Sequence, residues 1–367
     1  YLFSGRATDQ PAVQPLDEIL NGDGSRAGLK QIISERNQAD QGVGGLGRLT
    51  VTAPTATSVN VADDVSPFGF KMASAASTLS GATVSGPTGS PASLSVGFTG
   101  VPSAGETFTL RLTLPDGTSE NVTLTATSSA TPGANEFTAG PTAAATAASF
   151  RTALTGAIGT LAGTSLTAAS AVVASDDFFD ADSSNPPQRV AGPPFNTATA
   201  MTAGSASDTV IWYTGETGTD PARATATARI DQSLVVAYGV RGNEEGLRNL
   251  VKNVATLAAV TVSSTDPNAA DLSQALNQRL TASLNGSAGT QSVNDIAAEL
   301  AGAQTSINAA KNRHQQTAAT LGDFLQQVTG VTNEEVGAQI LTLQTRMQAS
   351  MQTTAMLFQT SLVNYLK

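Results

Sequence analysis

The densest group of ionisable side chains is Asp176-Asp177-Phe178-Phe179-Asp180-Ala181-Asp182. Four carboxylates in so short a run can offer oxygens to calcium, a hard cation that takes about six to eight of them. The run lacks the glycine and distal glutamate of an EF-hand loop, so it reads better as a solvated acidic loop anchored by its two phenylalanines. His314 is the sole histidine, which excludes a His-rich metal centre and a Ser–His–Asp relay elsewhere. It falls on a helical seam and reads as a packed interior or interface residue, with a pH-responsive assembly contact as the functional alternative. Trp212 and Tyr213 can make a sugar platform, but a lone aromatic pair before Thr214-Gly215 reads rather as a packed strand. Asp295, Glu299 and Asp323 share one long helix with no convergent partner, so they read as solvent-face charges and not as an acid–base pair. Gly42, Gly44, Gly45 and Gly47 resemble a phosphate-cradling loop but lack its Lys-Ser/Thr, leaving a flexible turn into a strand.

There is no cysteine, so thiolate nucleophiles, disulfides and Cys-ligated metals are excluded together. No enzyme, cofactor or metal is expected. Zero cysteine fits a protein that works outside the cell or stays unfolded for export. The chain has 367 residues, about two or three domains' worth. It carries 19 Lys+Arg against 29 Asp+Glu, a net charge of -10, which argues against nucleic acid as a partner because phosphate neutralisation needs clustered cations. No run of 18 apolar residues occurs, so no membrane-spanning helix is expected. The Ser/Thr-rich middle would suit O-glycosylation. The start at Tyr1, without Met or a leader, suggests a processed chain or a fragment.

Several elements can be placed. Ser25 is expected to cap a helix running to about Asp40. Residues 50–225 are rich in Thr, Val, Gly and Pro, with strands at Leu49–Thr52 and Val59–Val61. A hairpin joins Thr107–Leu114 to Glu120–Thr125 across Pro115-Asp116-Gly117, where alternating apolar residues flank a turn. A helix is expected over Ala143–Leu161, with Phe150, Leu154, Ile158 and Leu161 on one face. Further helices are expected at Asn243–Val260, with Leu247, Leu250, Val254 and Leu257 on one stripe, and at Ala269–Leu284.

The most regular pattern comes last. Ile296, Leu300, Ala303, Ile307, Ala310, His314, Thr317, Leu321, Phe324 and Val328 step 3,4,3,4. After a break at Gly330 the stepping resumes through Val336, Ile340, Leu343, Met347, Ser350, Thr354, Leu357, Ser361 and Tyr365. Sustained 3,4 alternation is a coiled-coil seam that keeps one stripe facing a partner helix. The helices at 243–284 can cover part of the first stretch. Nothing obvious in the chain covers 336–366, which after Glu335 carries only Arg346 and Lys367 as charges. That helix is therefore expected to assemble with helices outside this chain through Val336, Ile340, Leu343, Met347, Leu357, Phe358, Leu362 and Leu366.

The run Glu335–Leu366, above all Gln344, Gln348-Ala349-Ser350 and Ser361-Leu362, resembles the C-terminal helix of bacterial flagellins and hook–filament junction proteins. Tyr1-Leu-Phe-Ser-Gly5, Ser66-Pro-Phe-Gly-Phe-Lys71 and Ala237-Tyr238-Gly239 onward to Leu247 are similar to segments of the same family. The resemblance covers roughly 1–75 and 210–367, and the family's N-terminal paired helices are missing, so it too implies a fragment. It implies an α+β fold in which a long antiparallel helical bundle, a coiled-coil-like stalk, carries an inserted β-rich domain. The stalk would take 1–50 and 226–330, the insertion 51–225 with a second module at about 90–175, and the terminal assembly helix 331–367. The implied function is a structural subunit of the bacterial flagellum that joins hook to filament and polymerises for motility. Its partners would be further copies, neighbouring axial proteins and an export chaperone. Its place would be outside the cell, after type III export. Filament flagellin itself, or a flagellin-like surface protein binding a glycan or host receptor, are the alternatives.

Overall fold

The computed structural model describes residues 3–5, 11–182, 184–263, 265–286 and 289–365, with backbone alone for 361–365. The chain divides into two units, one of residues 1–228 and 237–300, the other of 229–236 and 301–367.

The first unit begins with helices α1 (Leu16–Asn21) and α2 (Leu29–Gln41). The latter starts after Gly28 and not at Ser25, whose amide is taken by the Asp23 side chain at 2.9 Å. Eight strands follow: β1 (Thr50–Thr55), β2 (Ser58–Ala62), β3 (Lys71–Ser77), β4 (Ala82–Thr88), β5 (Ser93–Phe98), β6 (Thr107–Thr113), β7 (Ser119–Thr127) and β8 (Glu136–Thr138). They form two four-stranded sheets, ordered β1-β2-β5-β4 and β3-β6-β7-β8. The β6–β7 hairpin runs in antiparallel register from Thr107 opposite Thr125 to Thr113 opposite Ser119. Its turn needs a left-handed residue, and Gly117 supplies it at φ 78°.

Both sheets pack on α3 (Ala143–Leu161) in one core. Thr142 caps this helix through its hydroxyl. Phe150 sits at the centre, edge-on to Phe98, Phe108 and Phe137 with ring centroids 5.1–5.4 Å away. A π-turn at Ala162–Leu166 leads directly into α4 (Thr167–Asp180). The carbonyl of Ala162 accepts from Gln41 Nε2 at 2.6 Å, so the irregular turn leaves it bonded. The stretch 143–180 is long and apolar enough to cross a membrane by composition. It is instead the central core helix pair, with Leu154, Ile158, Leu166, Phe178 and Phe179 buried.

Short strands β9 (Gln188–Val190) and β10 (Met201–Ala203) pair next to α2, and β11 (Thr227–Arg229) pairs with β12 (Val235–Ala237). Helices α5 (Glu245–Ala259) and α6 (Ala269–Asn285) then pack on α4 and on each other. Helix α7 (Val293–Thr329) runs from the first unit into the second, and α8 (Asn333–Tyr365) follows.

The architecture is α+β, with sheets in the N-terminal half and helices in the C-terminal part. The expected stalk does not form: there is no long coiled-coil bundle among the described residues. Helices α1 and α2, with Ala12 and Ala27, pack with residues of α4, α5 and Trp212 in a compact core. Along the seam of α7, Ile296 and Ala310 are buried, whereas residues 311–329 are all exposed. The physical reason is that a seam needs a facing seam. Helix α5 spends its inner face on close approach to α4 through Ala255 and Ala259 against Ala171 and Ala174.

Candidate functional site

Asp176, Asp177 and Asp180 lie on the last turns of α4 and Asp182 just beyond its end, and the carboxylates are dispersed. Asp176 pairs with Lys252 at 2.5 Å, Asp180 with Arg248 at 3.3 Å, and Asp177 accepts the amide of Gln188 at 2.7 Å. Burial holds the Asp177 carboxyl above the usual aspartate range. Asp182 turns the chain, accepting from the Ser184 hydroxyl and from the amides of Ser184 and Asn185, which lowers its pKa. No group of three His, Cys, Asp or Glu that can hold a metal occurs among the described residues.

Trp212 is 1% exposed and donates its indole N–H to the Phe179 carbonyl at 2.9 Å. Tyr213 donates to the Phe3 carbonyl at 3.0 Å, and burial pushes its phenol up to about 12. Both rings are core, Trp212 tilted between Phe179 and Tyr213 with ring centroids 5.1 and 5.5 Å away. The glycine cluster is a socket. Phe70 enters against Gly47, its amide donating to the Gly47 carbonyl at 2.9 Å, and a Cβ on Gly47 would lie 2.2 Å from the Phe70 ring. Next to it, Phe68 is buried beneath the Arg36 and Arg48 guanidiniums, 5.3 and 5.6 Å from its centroid. Asp40, fully buried, pairs with Arg36 at 2.8 Å and accepts from the Gly69 amide and the Ser170 hydroxyl, each at 2.8 Å. The motif Ser66–Lys71 is thus a structural latch between α2, α4 and the sheets.

Asp295 closes the N-terminus of α7, accepting from the Ser292 amide at 2.9 Å while its own amide donates to the Ser292 hydroxyl. Glu299 pairs with Arg223 at 2.8 Å, and Asp323 lies on the exposed stretch of α7. In the second unit His314 is exposed, 3.9 Å from Asp231, and Arg313 holds the same carboxylate at 3.0 Å. The Arg313 hydrogen bond lowers the Asp231 pKa. His314 is therefore not an interior residue of this chain, which leaves the interface reading.

What remains is the surface of α8. Every residue from 333 to 360 is exposed except Gly337, which is half-buried. Val336, Ile340, Leu343, Met347, Leu357 and Phe358 are 41–70% exposed. Leu362 and Leu366 lie outside the residues whose side chains are described. Off the seam, Leu341, Met351 and Met356 are also exposed, and distal α7 adds Leu321, Phe324, Leu325 and Val328. On α5, Leu250, Val254 and Leu257 face solvent, while Asn253, Ala255, Thr256 and Ala259 face inward. The small residues Ala255 and Ala259 were the available signal, because only they allow α5 to approach α4 so closely.

Residues 230–360, about a third of the chain, match the family model for Centromere protein H (CENP-H). No curated protein and no solved structure gives a significant match. The matched stretch includes most of the C-terminal run on which the flagellin resemblance rested, and it points to a centromere protein family instead. The flagellin and junction-protein resemblance is corrected accordingly. With it go the flagellar axial partners, the export chaperone, and the secreted, extracellular flagellar location.

Proposed function

We propose that this protein is a non-catalytic structural subunit that polymerises through its C-terminal helices. The seam of α8, continued by distal α7, docks on helices of neighbouring chains, and the first unit is carried as a folded body. One observation supports this above the others: Val336, Ile340, Leu343, Met347 and Leu357 on the 3,4 seam, with Phe358 beside it, stand in solvent on a helix whose only charge past Glu335 in that span is Arg346. Full burial of each Val, Leu, Ile, Met or Phe is worth roughly 1.5–3 kcal/mol. Six such residues together offset an association cost of about 4–15 kcal/mol. The family match covers the same helical region. Of the carboxylates weighed for acid–base work, Asp295 caps α7, Glu299 pairs with Arg223 and Asp323 lies exposed along α7, so no reaction is assigned to the chain.

Sedimentation of the full chain over a concentration series tests the reading. The wild-type protein is expected to associate as concentration rises, and Leu343→Asp/Met347→Asp to remain monomeric with an unchanged far-UV spectrum. A wild-type chain that stays monomeric throughout overturns it.

A further inference from the structure

We infer that the elementary contact of this assembly is a pair of α8 helices from two copies, packed antiparallel with Ile340 opposite Leu357, Leu343 opposite Thr354, and Met347 opposite Ser350. The inference rests on the assembly reading above and names the partner and the register.

Large and small side chains are unevenly placed along the seam. Its first half carries Val336, Ile340, Leu343 and Met347, whereas Ser350 and Thr354 begin its second half. A parallel pair stacks each position on itself. Ser350 would then meet Ser350 and Thr354 would meet Thr354, leaving two thinly filled layers beside the crowded Met347 layer. An antiparallel pair sets the first half against the second. The layers then become Ile340 with Leu357, Leu343 with Thr354 and Met347 with Ser350, each repeated by the two-fold axis. Every layer now holds at least one large apolar side chain, and the seam positions stay in step because 340 and 357, 343 and 354, and 347 and 350 share one sum. Thr354 is ready for burial, since its hydroxyl already donates to the Ser350 carbonyl at 2.7 Å and leaves its methyl for the partner.

Charge selects the same direction. Glu334 and Glu335 are the acidic residues of the first turn, and beyond them the chain carries only Arg346 and, at its far end, Lys367. A parallel pair brings four carboxylates to one end with no cation opposite. The antiparallel pair separates the two acidic turns by most of the helix length, on the order of 40 Å at 1.5 Å per residue. It also places each helix N-terminus beside the other's C-terminal half, where the opposed dipoles attract.

The absence of native cysteine makes the register readable by disulfide trapping in the full chain. Ile340→Cys and Leu357→Cys are made singly, then oxidised alone and as an equimolar mixture, with association checked by sedimentation. The antiparallel pair predicts that neither variant cross-links to itself efficiently and that the mixture gives the mixed disulfide dimer at a yield at least tenfold higher. Ile340→Cys cross-linking to itself, with the protein still associating, overturns the antiparallel register and leaves the assembly reading standing. Association without any of these cross-links overturns the pairing of α8 with α8. A monomeric chain overturns both.

Discussion

At the residue scale the first unit depends on a few side chains whose roles follow from contact geometry. Phe150 holds both sheets to α3 through three edge-on ring contacts. Replacing it with Ala should cost about 3–5 kcal/mol, read as a lowered urea midpoint. Gly47 is held at φ 59° with its missing Cβ pointing into Phe70. Gly47→Ala combines left-handed strain with a clash and should destabilise by about 2 kcal/mol or more in the same assay. Tyr213 supplies a pH signature. Its folded pKa of about 12 lies above the ordinary tyrosine value near 10. A raised folded pKa gives stability that is complete below about pH 10 and is lost as pH rises through about 12. Urea midpoints should therefore fall across that window in the wild type, and the fall should be shallower in Tyr213→Phe.

At the element scale the instructive cases are α5 and α8, both amphipathic by sequence and both turned outward. For α5 the prediction separates the two faces. Val254→Asn and Leu257→Gln on the exposed face should change stability by less than about 0.5 kcal/mol. Ala255→Asp, on the face buried against α4, should cost several times more, because it buries a charge without a partner. Equal effects on both faces would contradict the observed orientation. For α8, the exposed Met347 and Met351 offer a chemical handle. Sulfoxide formation turns an apolar side chain polar, so mild peroxide should weaken concentration-dependent sedimentation and leave far-UV ellipticity unchanged.

At the scale of the molecule, residues 333–360 are themselves exposed except for the half-buried Gly337. A chain ending at Gly330 should keep the thermal midpoint of the first unit and lose self-association. A large drop in that midpoint would mean that α8 stabilises the body directly. The latch formed by Asp40, Arg36, Arg48 and Phe68 ties α2 to α4 and to the loop before β3, which lets the sheets and the helices of the first unit share one folded body.

The sequence by itself determined what local periodicity encodes. The β6–β7 hairpin, α3, the existence of α5 to α8 and the 3,4 seam of α7 and α8 all follow from spacing and turn chemistry, which act over a few residues. The tertiary structure alone decided which face of each element is covered, because that depends on partners distant in the chain. Periodicity shows that α5 is two-faced, but the need to approach α4 closely turned its small residues inward. It shows that α7 and α8 carry seams, but not that this chain leaves them unsheathed and so forms no stalk. The carboxylates of 176–182 went to a helix end and separate partners for the same reason. Lys252 and Arg248 come from α5, some 70 residues away in sequence, and no local pattern announces a contact at that separation.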